Sequence, residues 1–140
     1  MIRILGVDYG EKRIGIAVSD PLGITAQAVA VISKAKNFDQ DIVELKKIME
    51  EYNGVEEIVV GLPKTMAGEI GPQAQKVLAF IEALKNGLGV KITPWDERLT
   101  TVIAERELIS AGVSRAKRKK VIDKSAASYI LQSYLDGKKQ

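Results

Sequence analysis

Acidic side chains at three separate places in the chain are the residues best suited to carry chemistry. Asp8 follows a short aliphatic run, Asp96 and Glu97 follow another, and Asp123 stands in a stretch whose partners at helical spacing are apolar. The 140-residue chain contains no histidine and no cysteine, which excludes imidazole bases, thiol nucleophiles, zinc–thiolate sites and disulfides. Acid–base or metal chemistry must therefore come from carboxylates, lysines, tyrosines or hydroxyl groups.

Crowded carboxylates favour a divalent cation, because they repel one another and raise one another's pKa until a cation relieves the repulsion. Mg²⁺ takes oxygen ligands, and it combines a few carboxylates with water and substrate phosphate. Two metal ions about 3.5–4 Å apart form an arrangement that many enzymes use for phosphoryl transfer. The sequence therefore offers Asp8, Asp96, Glu97 and Asp123 as candidate catalytic residues and as ligands of Mg²⁺ or Mn²⁺.

Each acid taken alone also has a structural interpretation. Asp8 could be a turn residue that accepts backbone N–H groups before Gly10. Residues 96–98 could form an ion-paired cap of the next helix, and Asp123 could form a surface ion pair with Lys119. The catalytic interpretation is favoured because these acids are distant in sequence and are predicted to converge in space.

Basic residues supply candidate contacts to phosphates. The net charge is only +3, but five basic residues fall within positions 115–120 without an intervening acid. This run is either a solvated helix face or a surface that contacts a phosphate backbone. The Gly- and Pro-containing loop over 62–71 either cradles a phosphate or is a plain crossover, and Trp95 either stacks a base or belongs to the core. The candidate nucleic-acid-binding residues are Lys64, Arg98, Arg115, Lys117, Arg118, Lys119 and Lys120.

The elements that must position these side chains follow the order βββαβαβαα. Short turns make the first three strands antiparallel, and right-handed crossovers make the last two strands parallel to the first. This order predicts an α/β fold with one mixed five-stranded sheet and helices on its faces, as a single domain over residues 1–140. The predicted strands are 2–7, 13–19, 24–33, 57–61 and 90–95; the predicted helices are 37–54, 72–87, from 100 or 101 to about 111, and 114 to about 136.

The predicted topology brings the candidate acids to one edge of the sheet. Ligands of such sheets bind beyond the carboxyl ends of the parallel strands, which are predicted at Asp8, Gly61 and Asp96. Asp123 falls on the packing face of the final helix, where a carboxylate is costly unless it is paired or holds a cation. No apolar stretch approaches the roughly 20 residues of a membrane span, and no export signal is evident, so we expect a cytoplasmic protein.

Five segments together resemble a known family. They are 7–10 (VDYG), 13–20 (RIGIAVSD), 60–63 (VGLP), 95–101 (WDERLTT) and 123–135 (DKSAASYILQSYL), and they occur in this order. The chain resembles the YqgF family, also called RuvX, of RuvC-like Holliday junction resolvases. The resemblance covers essentially the whole chain, and its specificity comes from the combination of the segments.

The resemblance implies a ribonuclease H-like fold and a cytoplasmic, metal-dependent nuclease. It implies maturation of the 5′ end of pre-16S ribosomal RNA as the role, with Holliday junction resolution as the alternative. The implied catalytic acids are Asp8, one or both of Asp96 and Glu97, and Asp123. The chain departs from the family pattern at two places. The loop over 65–68 reads TMAG rather than an NMDG-like sequence. Gly61 stands where better-studied resolvases have an acid, so the acids after the fifth strand must take the place of that acid.

Four functional hypotheses remain at this point. The first is a Mg²⁺- or Mn²⁺-dependent endonuclease with a two-metal mechanism, acting on structured RNA, and the second is a resolvase of branched DNA that acts as a symmetric dimer. The third is a nucleic-acid-binding module with weak or no catalysis, and the fourth is a sugar-kinase or actin-like ATPase, against which the single-domain length argues. The expected partner is nucleic acid and not a membrane, and the protein is expected to be a monomer or a homodimer. No motif in the sequence distinguishes an RNA substrate from a DNA substrate.

Overall fold

Five strands form one mixed sheet in the order β3-β2-β1-β4-β5. The computed structural model describes residues 3–64, 67–97, 106 and 109–138, with the side chains of 118–125 excepted. β1 pairs antiparallel with β2, and β2 with β3, whereas β4 runs parallel to both β1 and β5. The strands are β1 Arg3–Tyr9, β2 Arg13–Ser19, β3 Ala26–Ser33, β4 Val55–Leu62 and β5 Lys91–Asp96, and the helices are α1 Phe38–Glu51, α2 Pro72–Gly87 and α3 Arg115–Lys138. This confirms the predicted fold class.

The helix ends follow local signals in the sequence. The side chain of Asn37 accepts the backbone N–H of Gln40 at 3.0 Å and so caps the start of α1. After α1 the chain turns through Asn53 at φ 49° and Gly54 at φ 114°, a left-handed conformation that glycine adopts without strain. α2 begins at Pro72, where the missing N–H costs no helical hydrogen bond.

Helices cover both faces of the sheet, and the alternation of β1 side chains separates the two cores. Leu5, Val7 and Tyr9 point toward α1 and α2, where they join one buried cluster. Ile4 points the other way and joins a second cluster with apolar residues of α3. Asp8 lies between Val7 and Tyr9 in the same strand, so it faces α3.

β1 extends two residues beyond its predicted end at Val7. The ring of Tyr9 is 4% exposed and stacks on Phe80 with centroids 4.1 Å apart, and this burial keeps the strand extended. Asp8 is therefore not a turn residue, because it lies within the strand opposite Gly15 of β2. The turn interpretation of Asp8 is wrong for this reason.

The start of β3 differs from its predicted position, and the helix predicted after β5 lies mostly outside the described residues. β3 begins at Ala26 rather than at 24, because the carboxylate of Asp20 accepts the backbone N–H groups of Leu22, Ile24 and Thr25 and holds that segment in a turn. Most of the helix predicted from 100 or 101 to 111 lies outside the described residues. No helix in the described part of the chain is long and apolar enough to cross a membrane.

Candidate functional site

Asp8 lies on the face of the sheet that α3 covers. Its partner across the ladder is Gly15, and a Cβ atom added there would lie 3.8 Å from the Cβ of Asp8 and 3.6 Å from that of Ala127. A larger residue at position 15 would fill the volume next to the Asp8 carboxylate. Gly15 thus helps to shape the site. It was not among the residues predicted from the sequence, although the alternation along its strand places it on the same face as Asp8.

Glu97 reaches the same face of the sheet beside Gly61 of β4. A Cβ atom added at Gly61 would lie 3.2 Å from Oε2 of Glu97 and 2.5 Å from Cδ1 of Ile130. No side chain fits at this position without displacing one of the two. The Glu97 carboxylate therefore lies beside the end of β4, close to the position that the Cβ of an acidic residue at position 61 would occupy.

The two carboxylates interact electrostatically. Burial, and to a smaller extent the nearby negative charge of Asp8, together raise the pKa of Glu97 to about 7. Glu97 therefore keeps its proton to a higher pH than an ordinary glutamate does. A cation placed between the two groups would relieve the repulsion and favour the ionised form.

Asp96 does not share this face. Trp95, the residue before it, points toward α3, where its ring meets Tyr134 edge-on at 5.2 Å and its Nε1–H donates to Ser133 Oγ at 3.1 Å. Because side chains alternate along a strand, Asp96 points to the opposite side. The geometry thus distinguishes Glu97 from Asp96, and Trp95 serves in packing.

α3 carries the third predicted acid toward the same edge of the sheet. Ala127 lies against Gly6 and Gly15, while Tyr134, two turns later, donates to Glu57 near the start of β4. The helix therefore runs from the carboxyl edge of β1 toward its amino edge. Asp123 is one turn before Ala127, about 6 Å further toward the carboxyl edge.

The side chain of Asp123 lies outside the description. Within the part of the chain whose side chains are described, no three acidic residues come close enough together to hold a metal ion. A site with three carboxylates therefore requires a contribution from beyond that part. The possible ion pair of Asp123 with Lys119 also involves side chains that are not described.

Three of the predicted basic residues have side chains that the structure describes. Lys64 follows the end of β4 and is half-buried, and Arg115 and Lys117 are exposed in the first turn of α3. The Oγ of Ser114 accepts the backbone N–H of Lys117 at 3.4 Å and so caps the start of α3. The positions whose side chains are not described are Arg98, Arg118, Lys119 and Lys120.

The sequence has close relatives in clostridia. A protein of Clostridium novyi (strain NT) named "Putative pre-16S rRNA nuclease" is 56% identical over 135 residues, which cover 96% of this chain and 98% of that protein. A protein of the same name from Clostridium botulinum (strain Hall) is 54% identical over 135 residues, covering 96% of this chain and 97% of that protein.

Solved structures share the fold at low sequence identity. Thermus thermophilus RuvC in complex with a Holliday junction substrate aligns with a TM-score of 0.57 and 13% identity, over 99% of this chain and 96% of that one. A ROK hexokinase from Thermus thermophilus aligns with a TM-score of 0.50 and 21% identity, over 76% of this chain and 38% of the hexokinase. Residues 2–137 match the family RuvX, described as Holliday junction resolvase, and the chain therefore belongs to that family.

Proposed function

We propose that this protein is a divalent-metal-dependent endonuclease, a single ribonuclease H-like domain that processes the 5′ end of pre-16S rRNA in the cytoplasm. The observation that carries the proposal is the pair formed by Asp8 and Glu97 at the carboxyl edge of the sheet, with the pKa of Glu97 raised to about 7. The name of the clostridial relatives supports the choice of RNA.

The side chains at this edge fit a hard divalent cation. Asp8, Glu97 and Asp123 would hold Mg²⁺ or Mn²⁺, because they offer only oxygen ligands and because two of them already repel each other. When bound, two such ions supply Lewis acidity toward a phosphodiester and lower the pKa of water. Asp96 is not included, since it points to the other face.

The protein's own groups prepare the site. Glu97 is partly buried beside the bare backbone of Gly61, which leaves room for its carboxylate and for the Ile130 side chain. This burial makes Glu97 release a proton when a cation binds, and it strengthens the electrostatic interaction with that cation. Lys64, Arg98 and the basic residues at 115–120 would hold the phosphates that flank the scissile bond.

Branched DNA is the second candidate substrate. The description of the matched family as Holliday junction resolvase is the observation that favours it. Symmetric cleavage of a four-way junction needs two sites, so this function requires a homodimer, whereas trimming an RNA end needs one site.

The test compares the two substrates side by side. A precursor RNA with the 5′ leader of 16S rRNA and a four-way DNA junction are incubated with the protein in Mg²⁺, in Mn²⁺ and in chelator. Glu97→Gln is expected to lower cleavage by at least about 100-fold, because it removes a charged ligand. Asp96→Asn is the matched control, one residue away on the other face, and is expected to stay within a few-fold of the wild type.

The outcomes separate the hypotheses. Cleavage of the RNA alone supports the proposed function, and cleavage of the junction alone supports the resolvase. A wild-type protein that cuts neither substrate in either metal is a binding module. Equal losses in Glu97→Gln and Asp96→Asn would contradict the assignment of the site.

A further inference from the structure

A cavity of about 410 Å³ lies between the start of α1 and the first half of α2. Its wall includes Tyr9, which follows Asp8 in β1 and points to the opposite face of the sheet. The cavity therefore borders the same edge of the sheet as the proposed catalytic site but opens on the other side. Its volume falls within the usual range for small-molecule sites.

The charged side chains that line this cavity are all positive. Three lysines line it, Lys34 and Lys36 from the segment before α1 and Lys76 from α2, and no carboxylate is among its lining residues. Within the described part of the chain, none of the three makes an ion pair. The ammonium group of Lys34 instead lies 4.5 Å from the centre of the Tyr9 ring, which holds a positive charge at the wall without neutralising it.

The segment that presents two of these lysines is anchored to the fold. The backbone N–H of Lys34 donates to the carbonyl of Lys12 at 2.9 Å, and that of Ala35 donates to Oδ1 of Asp41 at 2.8 Å. Asp41 is 1% exposed, so its carboxylate lies behind the wall and not in the opening. With Asn37 capping α1, the cavity is a preformed feature of this loop.

The remaining wall is apolar. Phe38 is half-buried and Ala79 of α2 is exposed, and both line the opening beside the lysines. An inorganic anion would use only the charged part of such a site. A ligand with a phosphate group and a flat, weakly polar ring system would use both parts.

We propose that this cavity binds a nucleotide, with its phosphate on Lys34, Lys36 and Lys76 and its base against Phe38 and Ala79. The nucleotide is either free or part of an RNA strand that crosses the edge of the sheet from the Asp8 side. A free nucleotide and a nucleotide within RNA offer the cavity the same phosphate and base, and they differ only in the rest of the strand. Because binding here needs no divalent cation, the proposal stands independently of cleavage.

The first arm of the test uses 5′-AMP, adenosine and inorganic phosphate, each titrated calorimetrically in chelator. The wild type is expected to bind 5′-AMP more tightly than either fragment. The triple variant Lys34→Gln/Lys36→Gln/Lys76→Gln is expected to weaken 5′-AMP binding by at least about tenfold, since it removes three charge-assisted contacts. Lys46→Gln, an exposed lysine of α1 outside the cavity, is the control and should bind like the wild type.

The second arm measures binding of a single-stranded RNA at several salt concentrations, again in chelator. If the strand uses the cavity, the slope of log K against log[salt] falls by about 0.7 for each lost phosphate contact. Lost 5′-AMP binding with a lower RNA slope assigns the cavity to the strand, and lost 5′-AMP binding with an unchanged slope assigns it to free nucleotides. Absence of saturable 5′-AMP binding by the wild type, or equal binding by a triple variant whose circular dichroism shows it folded, overturns the proposal.

Discussion

The protonation of Glu97 gives the isolated protein a specific pH dependence. Its pKa is about 7 in the folded chain and 4.5 in the reference state, so the native state binds more protons between these values. Stability is therefore lost as the pH rises from about 4.5 to 7, and the loss stays constant above that range. Glu97→Gln removes this cost, and we expect it to raise the free energy of unfolding at pH 8 by about 1–3 kcal/mol and to change it little at pH 4.

Denaturant titrations in chelator at both pH values measure this effect. Glu56→Gln is the control, because Glu56 is exposed and its removal should give the same small change at pH 4 and pH 8. A Glu97→Gln protein that is no more stable than the wild type at pH 8 would show that the carboxylate is not destabilised by its surroundings.

An added methyl group at Gly61 would meet side chains next to the candidate site. Gly61→Ala would place Cβ against Ile130 and beside the Glu97 carboxylate, and we expect a loss of about 1–3 kcal/mol in stability. Gly89→Ala, where nothing lies within 4 Å of the added atom, is expected to be close to neutral. Thermal unfolding of the two variants checks this, and an unaffected Gly61→Ala would mean that Ile130 moves aside freely.

Among the elements, α3 is held to the sheet by a buried polar contact. The Tyr134 hydroxyl and the Thr93 hydroxyl both donate to Oε2 of Glu57, which is 4% exposed. Tyr134→Phe removes one of these bonds to a buried charge, so we expect a loss of about 1.5–3 kcal/mol. Tyr129→Phe in the same helix is the control, and equal unfolding midpoints for both variants would contradict this role of the contact.

The basic first turn of α3 is expected to contact phosphates. Replacing Arg115 and Lys117 with Gln should lower the slope of log K against log[salt] for RNA by up to about 0.7 per lost contact, because fewer counterions are then released. Lys46→Gln supplies the control for an unrelated charge change. An unchanged slope in the double variant would show that Arg115 and Lys117 belong to an ordinary solvated helix face and do not contact phosphates.

The order of the elements was predictable from the sequence because each has a strong local signal. Capping by Asn37, Pro72 at the start of α2 and the aliphatic run of β4 all depend on neighbouring residues. The end of β1 was not predictable in this way, because the burial of Tyr9 depends on Phe80, which is distant in sequence. The choice between Asp96 and Glu97 likewise depends on the contact of Trp95 with α3.

Considering the whole molecule, a cation bound between elements should stabilise the fold. Asp8 belongs to β1, Glu97 follows β5 and Asp123 belongs to α3, so a metal held by all three ties the sheet to its covering helix. At a metal concentration about 100 times the Kd, the expected gain is about 2.7 kcal/mol, visible as a higher Tm in Mn²⁺. Asp8→Asn should abolish the rise, and an equal rise in that variant would mean that the ion binds elsewhere.

The packing of α3 on β1 and β2 also has a consequence for protein synthesis. The helix covers strands that leave the ribosome about 100 residues earlier, so that face of the sheet remains uncovered until α3 has also been synthesised. Contacts this distant in sequence also slow the folding of a domain, because a long loop must close before they form. A nascent chain thus carries Asp8 long before it carries Asp123, so the proposed site with three carboxylates cannot form before α3 is present.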